Sequence, residues 1–296
     1  MNGVASTQQR SWDARAAANF VCGGAGAGLI VLTALSGVRG NALALLVLCG
    51  LALVGTGLLC VWHELGRPLR ALHVFFHPRT SWMSREAFVA TLLFPAGLAA
   101  AARVPGFMWA SAVLAVAFLV CQARMLQAAR GIPAWRAPLA APLLVLTGLA
   151  EGGGLLLIAS PWLGAATPAS LALFAGLVLL RVIAWVAYRR ALGATAAPRA
   201  LTALDRAGRV LHLAGSLAPL ALIATIAMGA LGGTAALAAG ALAGACAVAG
   251  GWYLKYTLIM RAGFTQGFAL AKLPVRGARR DAPPLRDSGR SVDAHG

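Results

Sequence analysis

Eight apolar stretches follow one another along the chain: Ala16–Gly37, Asn41–Trp62, Glu86–Ala102, Pro105–Met125, Pro138–Ser160, Thr167–Tyr188, Gly208–Leu231 and Ala235–Tyr256. Each is near the ~20 residues a helix needs to cross the hydrocarbon core of a bilayer. A spanning segment has to satisfy its own backbone N–H and C=O groups, so stretches of this kind fold as helices. A soluble globule could not hide them, because 60% of the 296 residues are hydrophobic and only 11% are charged. Soluble domains carry about 25% charged residues. The 35 glycines and 14 prolines sit inside Leu/Ala/Val runs and do not signal disorder. The expectation is an all-α integral membrane protein, a bundle of eight transmembrane helices. Soluble enzymes, nucleic-acid-binding proteins and secreted disulfide scaffolds are excluded. The third stretch is short and carries Pro95, which predicts a kink.

The expected organisation is a polar N-terminal segment (1–15), a membrane domain (16–258) and a disordered basic tail (275–296). The first apolar run reads as a retained helix, without the small-residue cleavage pattern of a signal peptide. Connections after stretches one, three, five and seven are a few residues long, which makes the helices they join antiparallel neighbours. Gly24/Gly28 and Gly240/Gly244 have the small-xxx-small spacing that suits close helix packing.

The formal net charge is +17, from 25 Lys and Arg against 8 Asp and Glu. Its placement reads as membrane topology and not as a nucleic-acid footprint. Arg10 and Arg15, then Arg67, Arg70, Arg79 and Arg85, then Arg124, Arg130 and Arg136, then Arg189, Arg190, Arg199 and Arg206 all fall on one side, with Arg261 and the tail. Only Arg39 and Arg103 fall on the other. The positive-inside rule puts the first side in the cytoplasm, with both termini, in a multi-pass protein of the inner membrane. Trp12, Trp62, Trp82, Trp135 and Trp252 lie near that boundary, as an interfacial aromatic belt would.

Few residues can carry chemistry. Cys22, Cys49, Cys60, Cys121 and Cys246 lie in or at the ends of apolar runs without a CxxC, so they read as packing residues and no metal is expected. Among the five histidines (His63, His73, His77, His212 and His295) only His212 lies within a span, whereas a haem needs axial histidines on facing helices. Two ionisable residues fall near mid-membrane, Glu151 and Arg181. Glu151 precedes Gly152-Gly153-Gly154, which could break its helix. It is read as a proton-carrying, pathway-lining or structural group. Arg181 lies nearer the cytoplasmic end, and snorkelling to that interface is the simplest expectation for it.

The most informative stretch is the loop of about 23 residues from His63 to Arg85, on the side where long connections collect. Long loops with convergent polar groups are disproportionately functional. Ser84 reads as the cap of the third span, with Glu86 in its first turn at the positive end of the helix.

Within that loop, Leu65-Gly66-Arg67-Pro68-Leu69-Arg70-Ala71 followed by Ser81-Trp82-Met83-Ser84-Arg85-Glu86 resembles the membrane anchor subunit of dimethyl sulfoxide reductase and its relatives. The likeness in architecture covers the whole chain; the likeness in residues covers His63 to Glu86. The resemblance implies a quinone-reactive subunit that is not active alone. It would hold an iron–sulfur electron-transfer subunit and a molybdopterin catalytic subunit at the membrane, and exchange electrons with menaquinone or ubiquinone in anaerobic or sulfur-compound respiration. The molybdopterin and the iron–sulfur clusters belong to the partners; no haem or cluster is expected on this chain.

The family ties a histidine directly before Leu-Gly, and the glutamate heading the third span, to quinol binding. Glu86 matches that glutamate. Glu64 stands where the histidine would be, with His63 one place earlier and about 100° round a helix. His63, Glu64, Arg67, Trp82, Arg85 and Glu86 are therefore the expected quinone-binding and proton-transfer residues, and Arg67, Arg70 and Arg79 the expected docking residues. Oxidising a quinol releases two protons, which a carboxylate or imidazole can accept. Other readings stay open: the anchor of a sulfite-oxidising or other donor-oxidising quinone reductase, a proton-coupled transporter built on Glu151, and a purely structural anchor.

Overall fold

The computed structural model describes residues 2–4, 6–64, 73–266 and 268–270. The expected basic tail (275–296) lies outside them. Two units are distinguished. In the first, Asn2–Val4 (β1) and Phe268–Leu270 (β2) form an antiparallel ribbon with Gly3 opposite Ala269.

The second unit is helical. Its long helices are α1 (Ala14–Ser36), α2 (Gly40–Glu64), α3 (Trp82–Ala101), α4 (Phe107–Ala128), α5 (Ala140–Leu163), α6 (Pro168–Leu192), α7 (Pro198–Ala227) and α8 (Gly233–Arg261). Seven of these are long and apolar enough to cross a membrane. The exception is α3, the expected third span, where Arg85, Glu86 and Pro95 lower the hydropathy.

Two helix starts differ from expectation. The α3 helix begins at Trp82, and its cap is Ser81, whose hydroxyl accepts from Ser84 N–H. Ser84 therefore sits in the first turn and Glu86 beyond it, away from the positive helix end. The α7 helix begins at Pro198 and not at Gly208, because Pro198–His212 is strongly amphipathic. Ala200, Leu204, Ala207 and Leu211 are buried, while Arg199, Asp205, Arg206 and Arg209 are exposed. That pattern folds as helix before the continuously apolar stretch begins.

At the centre of the bundle α5 packs against α1, α4, α6 and α8. Glycine makes the closest approaches possible. A Cβ on Gly28 would fall on the Gly148 carbonyl, one on Gly152 would fall on the Gly28 backbone, and Gly154 faces Gly244 in the same way. The small-xxx-small expectation thus holds at Gly24, whose carbonyl a Cβ on Gly148 would meet at 3.0 Å, and at Gly28 and Gly244, whereas Gly240 faces open space.

Buried apolar residues form two clusters. The first holds Ala150, Leu156, Phe174, Val178 and Ala247; the second holds Leu143, Leu144, Trp185, Tyr188, Leu254 and Leu258. Along α6 one cluster gives way to the other around Arg181, between Val178 and Trp185, and along α5 and α8 between Leu144 and Ala150 and between Ala247 and Leu254, just short of Glu151 and Lys255. Trp135 belongs to the second cluster and not to an interfacial belt. It is 1% exposed, stacks on Trp12 and donates its indole N–H to the Leu258 carbonyl.

Among the described residues three π-helical turns interrupt the α geometry, at Asn19–Gly23, Leu213–Leu217 and Thr257–Arg261. Such turns leave carbonyls outside the regular ladder. Each of the three gives a carbonyl to a side chain from elsewhere: Asn19 to Gln122, Phe20 to Lys255, Gly215 to Arg181, and Leu258 to Trp135.

Candidate functional site

A cavity of about 890 Å³ opens between the first turns of α1, the last turns of α2 and the first half of α3. Ala16, Phe20, Leu58, Leu59, Trp62, Met83 and Phe94 make its walls predominantly apolar, and Glu86, Asn19, His73, His77 and Ser84 add polar groups. That size and lining suit a flat organic ring with a few polar substituents.

Glu86 is 3% exposed. Asn19 Nδ2 donates to its Oε1 at 3.5 Å, and the Gln122 side chain lies close by. Gln122 Nε2 donates to the main-chain carbonyl of Asn19 at 2.8 Å, which holds the Gln122 side chain against this turn. A carboxyl group held by an amide donor at the wall of an apolar cavity can accept or release a proton toward a molecule bound there.

The remaining expected site residues distribute themselves differently. Arg85 points back along the loop, donating to the carbonyls of Pro78 and Arg79 and lying 4.2 Å over the Trp82 ring. This pair shapes the entry into α3 and does not line the cavity. Arg79 is exposed. His63 is exposed at the end of α2, where its carbonyl accepts from the Arg15 guanidinium at 2.8 Å. The cavity is lined by His73 and His77, not by His63. Arg67 and Arg70 lie outside the described residues, as does the side chain of Glu64.

A second polar cluster lies inside the bundle. Lys255 Nζ meets Glu151 Oε2 at 2.5 Å and also donates to the Phe20 carbonyl at 3.0 Å. Arg181 donates to the Ala247 carbonyl at 2.9 Å and to the Gly215 carbonyl. Arg181 is fully buried, so it does not snorkel; the bundle itself supplies the carbonyls that the interface would have offered. The α5 helix runs through Gly152-Gly153-Gly154 without a break, because those glycines serve contacts with α1, α6 and α8. A transporter reading based on a broken helix at Glu151 loses that premise.

Asn19, Gln122 and Lys255 were not singled out by sequence reasoning. Lone amides inside apolar runs were the available signal for the first two. Lys255 stands one residue before the expected end of its span, where a snorkelling lysine is ordinary. Among the described residues no group of three His, Cys, Asp or Glu could hold a metal ion. No protein-family model matches the chain, and no curated protein matches it.

Proposed function

We propose that this chain is the membrane anchor and quinol/quinone-reactive subunit of a molybdopterin oxidoreductase complex of the dimethyl sulfoxide reductase type. In this reading it spans the inner membrane eight times, α3 included, with both termini and the longer loops in the cytoplasm. The carrying observation is the cavity with Glu86 in its wall. It is roomy and apolar enough for a quinone ring, and it presents one buried carboxyl for the ring's hydroxyl. His73 and His77 reach the same cavity and supply imidazole acceptors for the second proton. The sequence likeness around Leu65–Ala71 and Ser81–Glu86 also supports the assignment.

An iron–sulfur subunit docks on the arginine-rich cytoplasmic face, because electrons leaving the quinone need a cluster nearby. A molybdopterin subunit completes the complex and sets the terminal substrate.

The test is Glu86→Gln, which keeps size and hydrogen-bonding reach but removes the proton acceptor. Quinone-linked turnover of the membrane complex falls by about 10²-fold or more, while dye-linked turnover of the soluble partners stays. Unchanged quinone-linked turnover rejects the site.

A further inference from the structure

We propose that a cleft between α6 and α7, at the arginine-rich end of the bundle, binds the phosphodiester of an anionic membrane phospholipid whose acyl chains lie along α7. The cleft shares no lining residue with the quinone cavity, and the proposal stands whether or not that cavity takes a quinone.

The cleft follows from the pattern of α7. Thr202, Asp205, Arg209 and His212 recur at three- and four-residue spacing, so they share one face of the helix. Gly208 lets that face close on α6: a Cβ there would fall on the Trp185 ring, 2.7 Å from Nε1. The space left is about 400 Å³, enough for a compact headgroup.

Its polar groups are donors without acceptors. Arg209, His212 and the Trp185 indole N–H make no hydrogen bond or ion pair with any described residue. Trp185 is 3% exposed, and a tryptophan so buried ordinarily finds an acceptor for its N–H. Asp205, the acid in the cleft, is already closed: Arg189 donates Nε to its Oδ1 at 2.7 Å and Nη2 to its Oδ2 at 3.1 Å. Thr202 donates its hydroxyl to the Pro198 carbonyl. Three open donors beside a neutralised carboxylate match a group that offers unprotonated anionic oxygens, as a phosphodiester does.

Two features favour a lipid over a free anion. Leu213 and Leu217 follow Arg209 one and two turns further along α7 and are 63% and 62% exposed, so acyl chains leaving the cleft have an apolar wall to lie on. The cleft also stands where α7 passes from its amphipathic part to its apolar part, the level at which headgroups meet a spanning helix. Between residues 186 and 213 the chain carries Arg189, Arg190, Arg199, Arg206 and Arg209 against Asp205 alone, a balance that attracts anionic lipid. An acidic segment of a protein partner would leave Leu213 and Leu217 uncovered.

The test uses the full chain in detergent, titrated with phosphatidylglycerol or phosphatidylcholine and followed by native mass spectrometry of the lipid-bound fraction. Phosphatidylglycerol should bind more tightly by about tenfold or more, and Arg209→Gln should remove about tenfold of its affinity, the scale of one hydrogen bond to a charged group. Arg206→Gln takes the same charge from the same helix outside the cleft and should change the affinity less than about twofold. Both arginines are exposed, so neither variant disturbs the packing. Equal binding of the two lipids overturns the proposal, and so does equal weakening by the two variants, which would mean a diffuse surface charge. Displacement of phosphatidylglycerol by millimolar inorganic phosphate would overturn the lipid assignment in favour of a free anion.

Discussion

Lys255 and Glu151, 104 residues apart in sequence, meet at 2.5 Å with side chains 2% and 0% exposed. Neither charge has water to fall back on. Removing one partner of such a pair leaves the other buried alone, at a cost of about 3–5 kcal/mol, whereas replacing both by apolar groups is often close to neutral. Lys255→Met should therefore lower unfolding stability in detergent by that amount, and Lys255→Met with Glu151→Leu should regain most of it. A double variant as unstable as the two single losses added together would mean that the two residues are held independently.

The cavity can be blocked without touching an ionisable group. Gly55 lies in its wall, and a Cβ there would only brush Phe94 at 3.4 Å. Gly55→Leu should project into the space and weaken binding of a quinone analogue, measured by tryptophan quenching, by about 10–200-fold, the range for one misfitting methylene in an apolar pocket. Binding unchanged by this substitution would place the ring elsewhere.

Helix packing gives a paired comparison. Gly152→Ala forces a methyl group into the Gly28 backbone and should cost about 1–3 kcal/mol or more. Gly240→Ala meets nothing within 4 Å and should stay within about 0.5 kcal/mol of the parent. Thermal unfolding of both variants in the same detergent decides the matter.

Orientation can be checked at positions the helices leave free. Reporters fused after Thr80 and after Thr195 should be active only as cytoplasmic reporters, and one fused after Gly232 only as an external one. The reverse pattern would move the arginine-rich face, and the partners assigned to it, to the outside of the membrane.

The helices themselves were legible in the sequence because a bilayer demands long apolar runs, and seven of the eight are of that kind. Glu86 was legible as a candidate residue through its motif, and the structure puts it in a cavity wall, but its neighbours were not legible. Asn19 and Gln122 come from α1 and α4, and only packing brings them to a glutamate on α3. Arg181 and Lys255 illustrate the same limit. Each lies within reach of an interface by sequence count, yet both turn inward, because π-helical turns present carbonyls to them that hydropathy does not record. The cap at Ser81 was displaced from expectation by the pull of Ser84 and Glu86, which look like a helix start but sit inside one.

The π turn at Asn19–Gly23 holds one residue more than an α-helix would need over the same rise. Losing one residue there would leave a perfectly good membrane helix, of nearly the same length and hydropathy. It would also rotate everything N-terminal to it by about 100° about the helix axis. Asn19 would swing away from Glu86, and the carbonyls now serving Gln122 and Lys255 would change hands together. Composition along α1 is thus free to drift, whereas a one-residue difference in spacing within this turn would keep the helix and lose the contacts that Asn19 and Phe20 make with Glu86, Gln122 and Lys255.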